Sequence, residues 1–415
     1  MMKKTIIAML TASAFTSSAA WAVESKDVVS NYADIVHAVY EDAETTAKAL
    51  DSAIDALIKT PSAETLAAAK KAWLAARVPY QQSEVFRFGN SIVDDWEGQL
   101  NAWPLDEGLI DYVDSKSYQH ELGNPGATAN IISSASIQVG NDKIDASKIA
   151  PELLAELNEL GGSEANVATG YHAIEFLLWG QDLNGTNAGA GARAYTDYLQ
   201  GKGCTNDNCD RRAEYLKSTS TLLLTDLAEM KQEWSAGQDN YRAELTAKPA
   251  KDGLRIMLFG MGSLSLGELA GERMKVALEA NSPEDEHDCF SDNTHNSHFY
   301  NQQGINNVWF GQYTRVDGSK VSGASLEELV ASKDKAAAEK ASKAVSAATE
   351  QVKTLVVSAE NGQAFDQLIA PDNAKGNALV NESIVALVKQ TGEIEKASNV
   401  LGIYNLNPDT ADHEF

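Results

Sequence analysis

The sequence predicts an all-α protein made of two four-helix-bundle-like domains. Apolar residues recur at intervals of three and four along stretches rich in alanine, leucine, glutamate and lysine, which is typical of amphipathic helices. Alternating strand patterns are scarce, and the one at Ser136–Val139 is too short to change the class. Polar linkers at 184–191 and 201–208 divide the chain into halves, each with enough helices for a bundle.

The predicted helices follow one another along most of the chain. An apolar stripe predicts a long helix from Val28 to Lys59, and Pro61-Ser62-Ala63-Glu64 marks the start of a second helix that runs to Phe88. We expect a loop at 89–104 and a short helix at 105–113. The same spacing predicts long helices at 165–179, 211–235, 253–280, 325–360 and 374–400.

The first 22 residues are typical of a cleavable secretory signal. Lys3 and Lys4 precede an apolar run to Phe15, and Ala20-Trp21-Ala22 fits a small-x-small cleavage site. We therefore expect a mature chain in a periplasm or another cell-envelope compartment, with no transmembrane segment after signal removal. The predicted division is a signal peptide at 1–22, an N-terminal bundle at 23–200 and a C-terminal bundle at 201–415.

The charge balance excludes one class of partner. Acidic residues outnumber basic ones by 59 to 34, which gives a net charge of −25, and removal of Lys3 and Lys4 with the signal makes it −27. Nucleic-acid binding needs clustered lysine and arginine, so we expect no nucleic-acid partner. An acidic surface is also a common solubility device, and it carries little weight as evidence for a metal.

The cysteines fit an oxidising compartment. Cys204 and Cys209 lie in a polar loop of turn-forming residues, and we expect them to form a local disulfide. Metal binding by this pair is the alternative, although no histidine lies nearby. Cys289 is left without an assigned role.

The main functional signal is the pair His172 and Glu175 inside an apolar helical run. Residues three apart share a helix face, with Cβ atoms about 5–6 Å apart, so the imidazole and the carboxylate can converge on one metal ion. A buried Glu175 needs a cation, a proton or a strong donor. The alternative is a core histidine hydrogen-bonded to its helix neighbour.

The segment Gly170-x-His172-x-x-Glu175 resembles the GxHxxE signature of the imelysin family. The segments 96–112, 267–274 and 284–295 also resemble that family, in particular its iron-regulated protein A branch. The resemblance extends over essentially the whole mature chain. It implies two helical bundles with the functional site at their interface, and a role in iron handling. The family also includes proteins of an insulin-cleaving metalloprotease type.

A metal needs further donors besides His172 and Glu175. Glu84, flanked by apolar residues, and Glu268, in a helix of small residues, are the candidates to complete the site. The alternatives are an arginine–glutamate pair at a helix end for Glu84 and tight helix packing around Glu268. A second tier of candidate cleft residues comprises Arg77, Asp106, Glu107, Arg273, Asp292 and His295. For several of them the alternative is helix capping or a position in a solvated loop.

These residues predict capture of a metal ion rather than turnover. A histidine and carboxylate set suits iron, manganese or zinc, and the resemblance favours iron, with zinc as the alternative. The expected partners are the metal ion or a metal chelate, and iron-transport components of the envelope. A zinc-dependent metallopeptidase is the second hypothesis, although the His-Glu-x-x-His helix is missing from the sequence. A helical adaptor that binds no metal is the third.

Overall fold

The computed structural model describes residues 23–139 and 142–415, so the predicted signal at 1–22 lies outside the described residues. Helices make up most of the described chain, which confirms the all-α class. The α-helices are α1 (Ser25–Lys59), α2 (Ala63–Gln81), α3 (Ser91–Leu100), α4 (Pro151–Leu157), α5 (Gly170–Trp179), α6 (Cys209–Glu233), α7 (Tyr241–Ala247), α8 (Ala250–Ser263), α9 (Ala277–Ala280), α10 (Thr294–Phe310), α11 (Leu326–Ala331), α12 (Lys335–Glu360), α13 (Phe365–Leu368) and α14 (Ala374–Val400).

Smaller elements complete the described chain. A π-helical segment at Leu264–Val276 connects α8 to α9 without a break. Two short antiparallel hairpins are formed by β1 (Ser136–Val139) with β2 (Asp142–Asp145), and by β3 (Gln312–Thr314) with β4 (Lys320–Ser322). Among the described helices, none is both long enough and apolar enough to cross a bilayer.

Several predicted boundaries follow from local capping. Ser62 and Thr65 form a capping box that starts α2, as the restart signal in the sequence indicates. The predicted helix at 325–360 is wrong as a single element, because it divides into α11 and α12. Asp334 caps α12 by accepting from the backbone N–H of Ala337, and this new start interrupts the helix.

The segment 89–113 corrects two predictions. The expected loop at 89–104 contains α3, whose Val93 and Leu100 are buried. The expected short helix at 105–113 is only a 3-10 turn at Glu107–Leu109. The helix α10 was not predicted, because its sequence is rich in histidine, asparagine and glutamine and carries no clear apolar stripe.

Within the described part of the chain, three hydrophobic clusters hold the helices together. The second half of α1, from Ala43 to Leu57, packs with α2, α5 and α6 in one cluster. The first half of α1, from Val28 to Tyr40, packs with α8, α10 and α11 in another. The third cluster joins the π-helical segment to α12 and α14. Helix α1 therefore runs through two clusters, and the division into domains at residue 200 stays a prediction.

Two features position the candidate site. Helix α2 contacts α5 and also contacts α10, so residues from early and late parts of the chain meet beside it. The Cβ of any residue other than glycine at Gly304 would lie 2.6 Å from the carbonyl oxygen of Gln82, which explains how α10 approaches the end of α2 so closely. At the start of α6, a disulfide joins Cys204 to Cys209, the pairing that the sequence predicts.

Candidate metal centre

Three side chains from two parts of the chain form the candidate centre. His172 lies on α5, and His287 and Asp288 lie in the loop that precedes α10. Their ligand atoms all lie within 4.8 Å of one another, and all three residues are buried. Within the described residues, these three side chains form a group of histidine and acidic residues whose ligand atoms lie close enough together to hold one metal ion.

Gly170 allows α5 to bring His172 to this position. Its backbone has φ +76°, and an added Cβ would lie 2.3 Å from the carbonyl oxygen of Leu100. Only glycine tolerates both the left-handed conformation and this approach. The first residue of the GxHxxE motif therefore sets the contact between the start of α5 and the end of α3.

Glu175 holds the His172 ring in place. Its Oε2 lies 2.9 Å from Nδ1 of His172, and its Oε1 accepts hydrogen bonds from the backbone N–H and the hydroxyl of Ser291, at 3.0 Å and 2.6 Å. Both oxygens of this carboxylate are therefore engaged. The spacing of three residues produces a histidine–carboxylate pair on one helix face, as expected, but the carboxylate orients the ring.

Arg77 is the resident cation of the centre. It donates to Asp288 Oδ1 at 2.8 Å, and the same nitrogen lies 3.5 Å from Nε2 of His172. A guanidinium only donates, so Nε2 must present its lone pair, and the ring proton must lie on Nδ1, facing Glu175. His172 thus has the tautomer that a metal ligand with a carboxylate partner needs.

Burial keeps both histidines neutral. Burial, followed by the charge of Arg77, lowers the pKa of His172 to about 3. Burial, followed by the charge of Arg273, places the pKa of His287 well below its ordinary value. Neutral imidazoles keep a lone pair for a metal at neutral pH.

The two acids of the centre have opposite pKa shifts. Burial would raise the pKa of Asp288, but Arg77 and hydrogen bonds from Ser297 and Asn293 hold it below its ordinary value. Burial and then the charge of Asp288 raise the pKa of Glu175 well above its ordinary value, although Ser291 and Arg77 oppose this shift. Asp288 therefore carries a negative charge that Arg77 balances, whereas an ionised Glu175 depends on the hydrogen bonds that it accepts from Ser291 and from Nδ1–H of His172.

His287 is the least constrained member. Its Nδ1 is buried, has no hydrogen-bond partner in the described chain and lies 3.7 Å from Asp288 Oδ1. Its Nε2 lies 3.5 Å from the amide nitrogen of Asn101. Two neutral imidazoles, a carboxylate and one buried nitrogen without a partner fit a divalent metal ion. An ion that uses Asp288 Oδ1 must share it with Arg77 or displace Arg77.

The predicted donors Glu84 and Glu268 have a different partner. Arg273 is buried, and its guanidinium lies 2.7 Å from Glu84 and 2.8 Å from Glu268. It also donates to Asn301 at 2.6 Å. Both carboxylates therefore pair with a buried arginine, which is the kind of alternative that the sequence left open for Glu84. Neither belongs to the three-residue group.

Among the second-tier residues, Arg77 is hydrogen-bonded to the three-residue group. Asp106 accepts from Asn124 and from the backbone of Glu121, which organises a loop. Glu107 lies within 3.5 Å of the amide of Gln181, and burial raises its pKa to about 8. Asp292 and His295 flank the start of α10 and lie outside the three-residue group. Arg273, with its partners Glu84 and Glu268, also lies outside it.

Sequence reasoning missed His287 and Asp288 as the partners of His172. Both stand in the polar segment 284–298, from which we expected Asp292 and His295 to be the site residues. One signal was available: His287 and Asp288 come directly before Cys289 and Phe290, the apolar pair of that segment, so they were the polar residues nearest to a buried position.

A cleft opens over one side of the centre. It has a volume of about 580 Å³, and its lining includes His287, Asn101, Arg273 and Glu97. Burial, opposed by the charge of Arg87, raises the pKa of Glu97 to about 7. The candidate centre is therefore buried, with His287 as its member at the cleft.

Comparison with protein families gives one match over most of the chain. Residues 36–394 match the family model described as Imelysin. A curated relative, iron-regulated protein A of Synechococcus elongatus, is 36% identical over 61 residues. That stretch is 14% of this chain and 17% of the relative, so the match spans less than a fifth of the relative's length.

Two solved structures have a similar fold. One, described as an iron-regulated protein A precursor from Parabacteroides distasonis, has a TM-score of 0.64 and 17% identity, and the match covers 90% of this chain and 94% of that one. The other, an imelysin-like protein from Psychrobacter arcticum, has a TM-score of 0.59 and 16% identity, with 92% and 98% covered. At these identities the likeness concerns the fold alone.

Proposed function

The chain belongs to the imelysin family, and from this premise we propose that it binds a divalent metal ion through His172, His287 and Asp288 in the cell envelope. The observation that carries the proposal is the convergence of three buried donors within 4.8 Å, two of them neutral imidazoles. Such a set holds an ion and leaves further coordination positions open. Capture and release of the ion, as part of iron uptake or homeostasis, is the proposed role.

Iron is the proposed ion, and zinc is the alternative. Imidazole and carboxylate donors suit Fe(II), Mn(II) and Zn(II). The name of the curated relative, iron-regulated protein A, favours iron among these. The signal-like residues 1–22 support an envelope location, and iron-transport components of the envelope are the proposed partners.

Glu175 acts, in this proposal, as the partner that orients His172 rather than as a ligand. Its two oxygens are occupied by His172 and Ser291. A carboxylate that accepts the Nδ1 proton raises the basicity of Nε2, and loss of such a partner typically weakens metal binding 10- to 100-fold. Glu84 and Glu268 are proposed to stabilise the wall of the cleft through Arg273.

The test is metal binding by the purified mature protein and by three variants. We expect one ion per chain by elemental mass spectrometry of protein purified without a metal-affinity step. We expect His172→Ala, His287→Ala and Asp288→Asn each to weaken Fe(II) binding in anaerobic calorimetry by at least tenfold, with the helical circular dichroism of the parent. The control His120→Ala changes an exposed histidine outside the centre and should bind as the parent does.

Two results would count against this centre. The first is a parent protein that takes up no Fe(II), Mn(II) or Zn(II). The second is a set of three folded variants that bind these ions as tightly as the His120→Ala control does.

A zinc metallopeptidase is the second candidate, and one observation favours it. Glu97 lines the cleft beside His287, and its pKa of about 7 is suited to a general base at neutral pH. Three protein ligands and an open position for water are what such an enzyme needs. The test is a peptide-library cleavage screen with the zinc-loaded protein, in which Glu97→Gln should abolish any cleavage while zinc stays bound.

A further inference from the structure

The cleft over His287 is strongly acidic. Its lining contains two arginines, Arg87 and Arg273, and among the described residues no lysine. The carboxylates of the lining are Asp94, Asp95, Glu97, Glu159, Glu164, Glu268 and Glu272. Seven acids against two arginines leave a formal charge of −5 in one concave surface.

Both arginines of the cleft are already paired. Arg87 lies 2.9 Å from Asp94 and 3.4 Å from Glu97. Arg273 is held between Glu84 and Glu268. Neither guanidinium is left over for an incoming anion, because each would first have to give up a buried or half-buried carboxylate.

Three of the acids at this cleft have no such partner. Asp95, Glu159 and Glu164 are exposed, and no salt bridge of the described chain includes them. Their charges act on whatever approaches the cleft. Acid-lined concave surfaces raise the local concentration of cations, accelerate their association and repel anions.

The cleft leads to the candidate centre. His287 and Asn101 belong to its lining, and Asn101 accepts a hydrogen bond from Arg77 at 2.5 Å on the other side. His287 is 1% exposed, and its Nδ1 is a buried polar atom with no hydrogen-bond partner among the described residues. An ion that reaches the bottom of the cleft therefore meets a member of the three-residue group.

We propose that this cleft is the entrance to the centre and that it admits the free hydrated divalent cation rather than an anionic chelate. The inference rests on the proposed function and specifies the chemical form of its ligand. A metal ion with six waters needs about 200 Å³ at about 30 Å³ for each water, which is well within the cleft volume of about 580 Å³. An anionic complex of similar size would meet an excess of carboxylates in the lining, among them the unpaired Asp95, Glu159 and Glu164.

The experiment compares two triple variants of equal net charge. The entrance variant is Asp95→Asn/Glu159→Gln/Glu164→Gln. The control variant, Glu350→Gln/Glu360→Gln/Glu382→Gln, removes three exposed acids of α12 and α14, none of which lines the cleft. Both sets lie on the surface, so both variants should fold as the parent does.

The measurement is the rate of Mn(II) uptake in stopped-flow competition with a fluorescent chelator, at low and at high salt. For a dication steered by charges on the order of 10 Å away, each neutralised acid should slow uptake about threefold at low salt, so the entrance variant should be slowed more than tenfold. The control variant should match the parent. The difference should shrink in high salt, because screening removes steering. Ferric citrate, as an anionic complex, should not bind the parent.

The outcomes separate the route from the centre. If the parent binds Mn(II) and the entrance variant takes it up as fast as the control variant does, the cleft is not the entrance. If ferric citrate binds the parent, the form of the ligand is wrong while the centre stands. If the parent binds neither Mn(II) nor Fe(II) nor Zn(II), the centre itself is wrong and the route falls with it.

Discussion

The exchange Glu175→Gln tests the link between the GxHxxE motif and metal binding. The backbone N–H of Ser291 donates to Oε1 of Glu175 and can only donate, so the amide oxygen of the new Gln side chain must stay at that position. The amide NH₂ then faces Nδ1 of His172, where the parent has Oε2 at 2.9 Å. His172 must accept at Nδ1 and carry its proton on Nε2, the nitrogen that faces the centre.

The size of the effect follows from that change of tautomer. A protonated Nε2 has no lone pair for a metal, and it also points a proton at the guanidinium of Arg77, 3.5 Å away. We expect Fe(II) affinity to fall by at least 10- to 100-fold, the range for loss of a carboxylate partner of a ligating histidine, or about 1.4–2.8 kcal/mol. The helical circular dichroism should not change.

The assay combines affinity with a direct observation of the ring. Calorimetry gives the affinity, and ¹⁵N NMR of the histidine rings reports the tautomer, which should change from Nδ1–H in the parent to Nε2–H in the variant. The matched control is Ser291→Ala, which removes the hydroxyl donor but keeps the backbone N–H, and should change the affinity less than about threefold. A Glu175→Gln protein with parental affinity, or with His172 still protonated at Nδ1, would refute the orienting role.

Three further predictions concern the resident cation, a remote buried acid and the loaded protein. Arg77→Met should raise metal affinity in calorimetry about tenfold, because Asp288 Oδ1 loses its competitor, and should lower the free energy of unfolding of the metal-free protein by about 3–5 kcal/mol in denaturant titration. Burial raises the pKa of Asp226 to about 6, so its contribution to stability is present below its unfolded pKa near 4 and is lost as the pH rises through 6. Asp226→Asn should therefore stabilise the protein at pH 8 by about 1–2 kcal/mol, after discounting for partial solvent access, and by nothing at pH 4. Mn(II) at 100 times its Kd should stabilise the parent against unfolding by about 2.7 kcal/mol. Removal of Mn(II) with a chelator, or the exchange His172→Ala, should abolish this gain. Unchanged affinity in Arg77→Met, equal effects of Asp226→Asn at both pH values, or a gain that survives in His172→Ala would each contradict the corresponding prediction.

The long helices were predictable because their burial is encoded locally. Helix α14 has the predicted bounds, and α1 and α6 begin and end within three residues of the predicted ones. In these helices one apolar stripe faces a neighbour, so spacing alone carries the signal. The stripe of α3, with Val93 and Leu100 buried, was hidden by the polar residues and the Gly89 and Pro104 that flank it.

Helix α10 shows why the remaining structure was not predictable from spacing. Its buried side includes Asn301 and Gln302, which are satisfied by residues far away in the sequence. Asn301 donates to the backbone carbonyl of Gln81, and the side chain of Gln302 donates to that of Gln390. A polar residue is buried only when its partner is present, and that partner is invisible in a local pattern.

In the candidate site, too, the locally encoded part was predictable and the part that depends on distant residues was not. The sequence identifies His172 and Glu175 as a buried pair, because the helix geometry is local, but a spacing of three fits two ligands as well as a ligand with its orienting partner. The partner choice of Glu84 depended on Arg273, which is 189 residues away. The position of His287 and Asp288 depended on the path of an irregular loop before α10, for which no periodicity exists.

The most direct measurement is an anomalous difference map from crystals of the mature protein soaked in Fe(II) under anaerobic conditions, with data on both sides of the iron edge. The proposed centre predicts one strong iron peak per chain, about 2.0–2.2 Å from a ring nitrogen of His172 and of His287 and from an oxygen of Asp288. It also predicts that Glu175 stays hydrogen-bonded to Nδ1 of His172. An iron peak elsewhere, or no peak beside these residues, would contradict it.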